Sequence, residues 1–142
     1  MKNMYGIKLT NETLELISAF ETITRVEVKD CVIHEDRVSY VVNDIRKALG
    51  KGNSNIRRLK YSLGKNIDII GFSLEPEKFV KNIFHNYRVK DVSIEEKNGV
   101  QTAVVNIESG DKGRAIGKNR RNLDIAEQIL SHQFPINKIF VN

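Results

Sequence analysis

Apolar residues fall in two rhythms along the chain, one of three to four positions and one of two, and the rhythms recur in the same order twice. In the first half, Leu14 and Ile17, with Leu16 and Phe20, are spaced for one buried stripe of a helix. That helix is expected to run from Thr10, a candidate N-cap, to about Thr22. Val26 and Val28 alternate with charges and lead into Cys31-Val32-Ile33, which predicts a strand. His34-Glu35-Asp36 predicts a turn, and the alternation of Val38, Tyr40 and Val42 a second strand. A short helix then ends near Leu49. A longer one carries Ile56, Leu59 and Leu63 on one face and stops at Gly64, which suits a left-handed C-terminal cap. Ile67 to Phe72 predicts the closing strand.

The second half repeats the order. Pro76 suits the first turn of a helix reaching about His85. Val92 and Ile94 mark a strand, Asn98-Gly99 a hairpin turn, and Val100 to Ile107 the return strand. A short helix ends near Ile116, Leu123, Ala126, Ile129 and Leu130 mark a long one, and Ile136 to Val141 the last strand. Phe20, Phe79, Phe84 and Phe134 sit at apolar helical positions and read as core. The pattern is α+β: two tandem αββααβ modules, residues 1–75 and 76–142, meeting at Glu75-Pro76.

The repeat extends to residue identity. Asp44-Ile45-Arg46-Lys47-Ala48-Leu49-Gly50-Lys51 aligns without gaps on Asp111-Lys112-Gly113-Arg114-Ala115-Ile116-Gly117-Lys118, an offset of 67 residues. Downstream, Asn55 meets Asn122, Ile56 meets Leu123, Leu59 meets Ala126 and Leu63 meets Leu130. A period of this length indicates two copies of one small module.

Charge singles out the same segments. The net charge is +5 over 142 residues. Residues 44–65 hold seven bases against one acid, and residues 111–124 five bases against two, a combined +9; the remainder carries −4. The whole positive excess is therefore local, which favours an anionic partner at these two places. Each window contains a glycine-led loop between two helices, Gly50-Lys51-Gly52-Asn53 and Gly117-Lys118-Asn119-Arg120. Such a loop admits a phosphate backbone because glycine lacks the obstructing Cβ, the next helix offers unpaired N–H groups, and lysine adds charge.

A helix–GxxG–helix arrangement between strands, preceded by helix–strand–strand, resembles the type II KH module. The loops, read from Ala48 to Ile56 and from Ala115 to Leu123, are similar to the paired loops of the NusA family in its short archaeal form, and the likeness covers nearly all of the chain. The resemblance implies a three-stranded mixed sheet covered by helices in each module, and binding of single-stranded RNA with the loop on the backbone. It further implies a role in transcription elongation or termination beside RNA polymerase. No paired acids, nucleophile motif or cofactor fingerprint stands out, so no enzymatic activity, cofactor or small-molecule substrate is expected, and the location is expected to be cytoplasmic. The implied contact residues are Gly50, Lys51, Gly52, Asn53, Arg57 and Arg58 in the first module, and Arg114, Gly117, Lys118, Asn119, Arg120 and Arg121 in the second. Lys51, Lys118 and Arg120 would neutralise phosphates, while Gly50, Gly52 and Gly117 permit close approach. Ile56 and Leu123 fit either the floor of a base groove or the core.

Both loops depart from the pattern at their fourth position, where Asn53 and Arg120 replace glycine. Asparagine tolerates positive φ; arginine does so less readily. The first module is thus the stronger candidate for RNA. The departure also motivates a competing function, a protein-docking module with degenerate loops; a ribosome-associated or RNA-processing protein using the same paired KH fold is a further alternative.

Other chemistries find little support. Gly113 to Lys118 has the wrong glycine spacing for a P-loop, and Asn119 stands where magnesium would need Ser or Thr. Cys31 and His34 would be two metal ligands without a second pair, since His85 and His132 lie far away in sequence. No apolar run reaches the roughly 18 residues of a membrane span. Met1 to Thr10 lacks the features of a secretory leader, and the single Cys31 leaves no internal disulfide framework, so an intracellular location is expected.

Overall fold

The computed structural model describes residues 10–142; the stretch read above for a secretory leader lies, Thr10 apart, outside the described residues. Helix α1 (Asn11–Thr24) is capped by Thr10, whose Oγ1 accepts the Thr13 N–H at 3.1 Å. It ends at Arg25 in the left-handed region, whose N–H donates to Glu21 O. The buried stripe is Thr13, Leu16, Phe20 and Thr24. Leu14, expected in it, is 49% exposed. Successive helical residues rotate by about 100°, so Leu14 sits about 200° from Leu16 and faces outward once Leu16 and Phe20 are buried.

Strands β1 (Val28–His34), β2 (Arg37–Val42) and β3 (Asn66–Gly71) form a mixed sheet with β2 at its centre, antiparallel to β1 and parallel to β3. Between β2 and β3 the chain makes helices α2 (Ile45–Leu49) and α3 (Ser54–Leu63). Gly64 stops α3 at φ +64, its N–H donating to Lys60 O. Leu16, Phe20, Val38, Tyr40, Ala48, Leu59 and Ile69 lie in one core. Within it the Phe20 and Tyr40 rings stand 4.2 Å apart, and the Tyr40 hydroxyl donates to Leu16 O at 2.8 Å. Such a bond lets a tyrosine be buried without an orphaned polar group.

The second unit has the same plan: α4 (Pro76–Ile83), β4 (Val89–Lys97), β5 (Val100–Ile107), α5 (Lys112–Ile116), α6 (Arg121–Gln133) and β6 (Lys138–Val141). Its sheet is again mixed, with β5 central, antiparallel to β4 and parallel to β6. Asn98 and Gly99 both take positive φ, as the tightest hairpin turn requires. Two elements end elsewhere than expected. Pairing of β6 begins at Lys138, while Ile136, placed above in that strand, is buried just ahead of it. Phe134 lies beyond α6 in extended backbone, half-buried, with its ring 5.8 Å from Phe79.

Both sheets carry a register shift at the same tripeptide, Val28-Lys29-Asp30 in β1 and Val89-Lys90-Asp91 in β4. This is a second echo of the repeat, at a different offset because the second hairpin and the connection that follows it are both longer. The chain divides into two compact units between Phe72 and Ser73. Among the described residues, no helix is long and apolar enough to cross a membrane.

Candidate nucleic-acid interface

The two glycine-led loops have the same main-chain path. Gly50 closes α2 at φ 72, ψ 175, and Gly117 closes α5 at φ 79, ψ 164. This region of the backbone map is essentially restricted to glycine. A Cβ on Gly50 would stand 2.8 Å from Asn55 Nδ2, and one on Gly117 would stand 2.9 Å from the Asn122 side chain. The third and fourth loop residues are left-handed in both units: Gly52 and Asn53 at φ 60 and 58, Asn119 and Arg120 at φ 56 and 61. Each fourth residue donates its N–H to the leading glycine, Asn53 to Gly50 O at 3.2 Å and Arg120 to Gly117 O at 3.1 Å. Replacing glycine by asparagine or arginine has therefore left the turn intact.

One asparagine holds each loop from below. Asn55 Nδ2 donates to Ala48 O at 3.1 Å and to Lys47 O at 3.4 Å, and Asn122 Nδ2 donates to Arg114 O at 2.7 Å. Both satisfy carbonyls at the end of a five-residue helix too short to stand alone. They tie it to the next helix. Neither asparagine was among the residues singled out from sequence, although their identity at the same repeat offset was the available signal. Neither N-cap residue, Asn53 of α3 nor Arg120 of α6, caps its helix with a side-chain hydrogen bond.

Around this shared backbone the charges differ. In the first unit Arg57 Nη1 donates to Gly52 O at 2.7 Å, which braces the loop and leaves other guanidinium donors facing outward. Lys51, Arg58 and Lys60 are exposed beside it. In the second unit Arg120 Nη1 pairs with Asp124 Oδ1 at 2.6 Å and its Nη2 lies 3.4 Å from Glu127. Glu127 is itself anchored, since its Oε2 accepts the Ile139 N–H at 3.0 Å. Lys118 and Arg121 are exposed.

Arg114 is drawn elsewhere. Its Nη2 lies 2.6 Å from Asp111 Oδ1, with the guanidinium 5.8 Å from the centre of the Tyr87 ring. Asp111 is buried and also accepts from the Arg88 N–H at 2.8 Å and Arg88 Nε at 3.1 Å. The Arg88 side chain, then its N–H, then Arg114 hold the Asp111 carboxyl well below the usual carboxylate range against the opposing effect of burial. The matching Asp44 does a different job, accepting the Lys47 N–H at 3.1 Å as the cap of α2.

The twelve residues named from sequence thus gather as two sets, each on its own loop and flanking helices. Arg114 alone among them is turned to a buried acid. Ile56 is half-buried against the first core and Leu123 is buried in the second unit. Cys31 lies in the first core, apart from the loop, and burial, then Asp30, pushes its thiol up to about 12.

Comparison with known proteins agrees with the architecture. Residues 16–71 match the family model described as KH domain, and residues 76–140 the one described as NusA-like second KH domain. The chain is 33% identical over 140 residues to a protein of Methanocaldococcus jannaschii named probable transcription termination protein NusA, covering 97% of this chain and 76% of that one. A protein of the same name from Thermoplasma acidophilum is 34% identical over 140 residues, covering 97% of both chains. The crystal structure of APE1850 superposes with a TM-score of 0.74 at 34% identity, covering 94% of this chain and all of that one.

Proposed function

The chain belongs to the NusA family of paired KH-domain proteins, and from that membership we propose that it binds single-stranded RNA and acts on nascent transcripts with RNA polymerase. The observation that carries the RNA reading is the pair of superimposable glycine-led loops, each set in one of the two segments that hold the chain's entire positive excess. Gly50 and Gly117 let a sugar-phosphate backbone approach the main chain. Lys51, Arg57 and Arg58 in the first unit, and Lys118 and Arg121 in the second, supply cations for its phosphates. Gly52, Asn53 and Asn119 shape the turn, and Arg114 and Arg120 join through the donors their acid partners leave over. The relatives are named for transcription termination, and polymerase is the partner such a role requires.

Fluorescence anisotropy of short single-stranded RNA oligomers across a salt series tests the reading. The native protein should bind, with log affinity falling linearly in log salt, because neutralised phosphates release counterions. Lys51→Asp should weaken binding at least tenfold, while circular dichroism remains native. Binding that neither Lys51→Asp nor Lys118→Asp alters would refute the loop assignment. A protein-docking role for the second unit draws on the engagement of Arg120 by its own helix; it predicts retention on polymerase that is insensitive to ribonuclease.

A further inference from the structure

The repeat reverses sign where the following helix meets the loop. At the offset of 67 residues, Arg57 corresponds to Asp124 and Lys60 to Glu127. Helix α3 carries Arg57, Arg58 and Lys60 with no acid, whereas α6 carries Arg121 against Asp124 and Glu127. Position 57 and position 124 both touch their loops, but with opposite effect. Arg57 braces the main chain at Gly52 O and adds positive charge, while Asp124 takes hold of the loop's own arginine.

We propose that Asp124 and Glu127 are specificity-determining residues that mask the second loop, so that the RNA backbone is held first by the loop of the first unit. This deepens the RNA reading above and rests on it. Two carboxylates lie on Arg120, which satisfies its charge internally and places negative potential beside Lys118. A phosphate arriving there meets repulsion and must displace a partner already in place. The mask is reversible. The side chains of Arg120 and Asp124 are 54% and 53% exposed, and exposed ion pairs are weak and screened by salt. Glu127, at 18% exposed and tied to the Ile139 N–H, is the fixed part of the device, and Asp124 the releasable one.

The test uses the full chain and a short fluorescein-labelled oligouridine, titrated over a salt series. Asp124→Asn/Glu127→Gln removes both charges while keeping an acceptor for the Ile139 N–H. Glu95→Gln/Glu96→Gln, on β4 of the same unit, changes net charge equally and serves as the control. The unmasked protein should bind at least about threefold more tightly than the control at low salt. Its slope of log affinity against log salt should steepen by about 0.7 for each phosphate gained. Lys118→Asp should weaken the unmasked protein severalfold more than it weakens the native one. Asp124→Asn alone, which leaves Glu127 untouched, should show the same direction and stands in if the double variant fails to fold. Equal affinities for the unmasked and control proteins, with native binding intact, would overturn the mask alone. So would a native protein as sensitive to Lys118→Asp as to Lys51→Asp. No binding by any of these proteins at low salt would overturn the RNA reading and the mask with it.

Discussion

The loop glycines are where a single atom decides the geometry. Gly50 and Gly117 sit at positive φ with ψ near 170°, and the space a Cβ would take is held by Asn55 or Asn122. Gly52 and Asn119 are ordinary left-handed residues, and nothing stands within 4 Å of where a Gly52 Cβ would be. Gly117→Ala should therefore destabilise the second unit by about 1–3 kcal/mol, as strained backbone plus displacement of the asparagine beneath it demands. Asn119→Gly should stay within about 0.5 kcal/mol of native. Urea unfolding, read as midpoints at constant slope, checks both; an unmoved midpoint for Gly117→Ala would contradict this account of the turn. The leading glycines were legible in sequence because they repeat in register within matching basic windows. The partners of Arg120 were not. Asp124 and Glu127 stand four and seven residues beyond it on a helix face, where acids are ordinarily just solvated, and only coordinates show them turned toward the loop.

At the scale of elements, sequence rhythm set the order of the twelve α-helices and strands among the described residues, since amphipathic periods survive the details of their ends. It placed ends less well. Ile136 is apolar and stands next to a strand, so periodicity assigns it there, but it is buried by packing before pairing starts. Leu14 was assigned to a stripe that Thr13 fills instead, capped by Thr10 and needing no apolar side chain to be buried. The matched pair Asp44 and Asp111 marks a further limit, because one residue type at one offset caps α2 in the first unit and secures Arg88 before β4 in the second. That contact has a pH signature. The arginines hold the folded-state pKa of Asp111 below the unfolded value, so its contribution is complete at neutral pH and is lost as pH falls below about 4 toward the folded-state value. The urea midpoint of the native protein should exceed that of Asp111→Asn most at neutral pH, and the gap should narrow below about pH 4. A gap that widens on acidification would reverse the sign argued here.

For the whole molecule, the placement of charge matters more than its sum. A net charge of +5 is modest, yet it resolves into +9 in two short windows and −4 elsewhere. At physiological ionic strength charges separated by more than about 8 Å are largely screened, so RNA held at a loop responds chiefly to the cations around that loop. Two doubly substituted proteins of equal net charge separate placement from total. Lys47→Ala/Lys60→Ala removes two exposed cations flanking the first loop, and Lys78→Ala/Lys81→Ala removes two exposed cations from α4. For a single-stranded ligand, each lost phosphate contact should lower the slope of log affinity against log salt by about 0.7, so the first protein should lose up to about 1.4. The second should keep the native slope and lose affinity only at low salt, where long-range attraction persists. Equal losses of slope would mean that the protein attracts RNA as a diffuse polycation, and that the match between charge windows and glycine-led loops carries no binding information. A loss confined to the first protein would tie the phosphate-holding surface to the helix pair that Asn55 and Gly50 lock together.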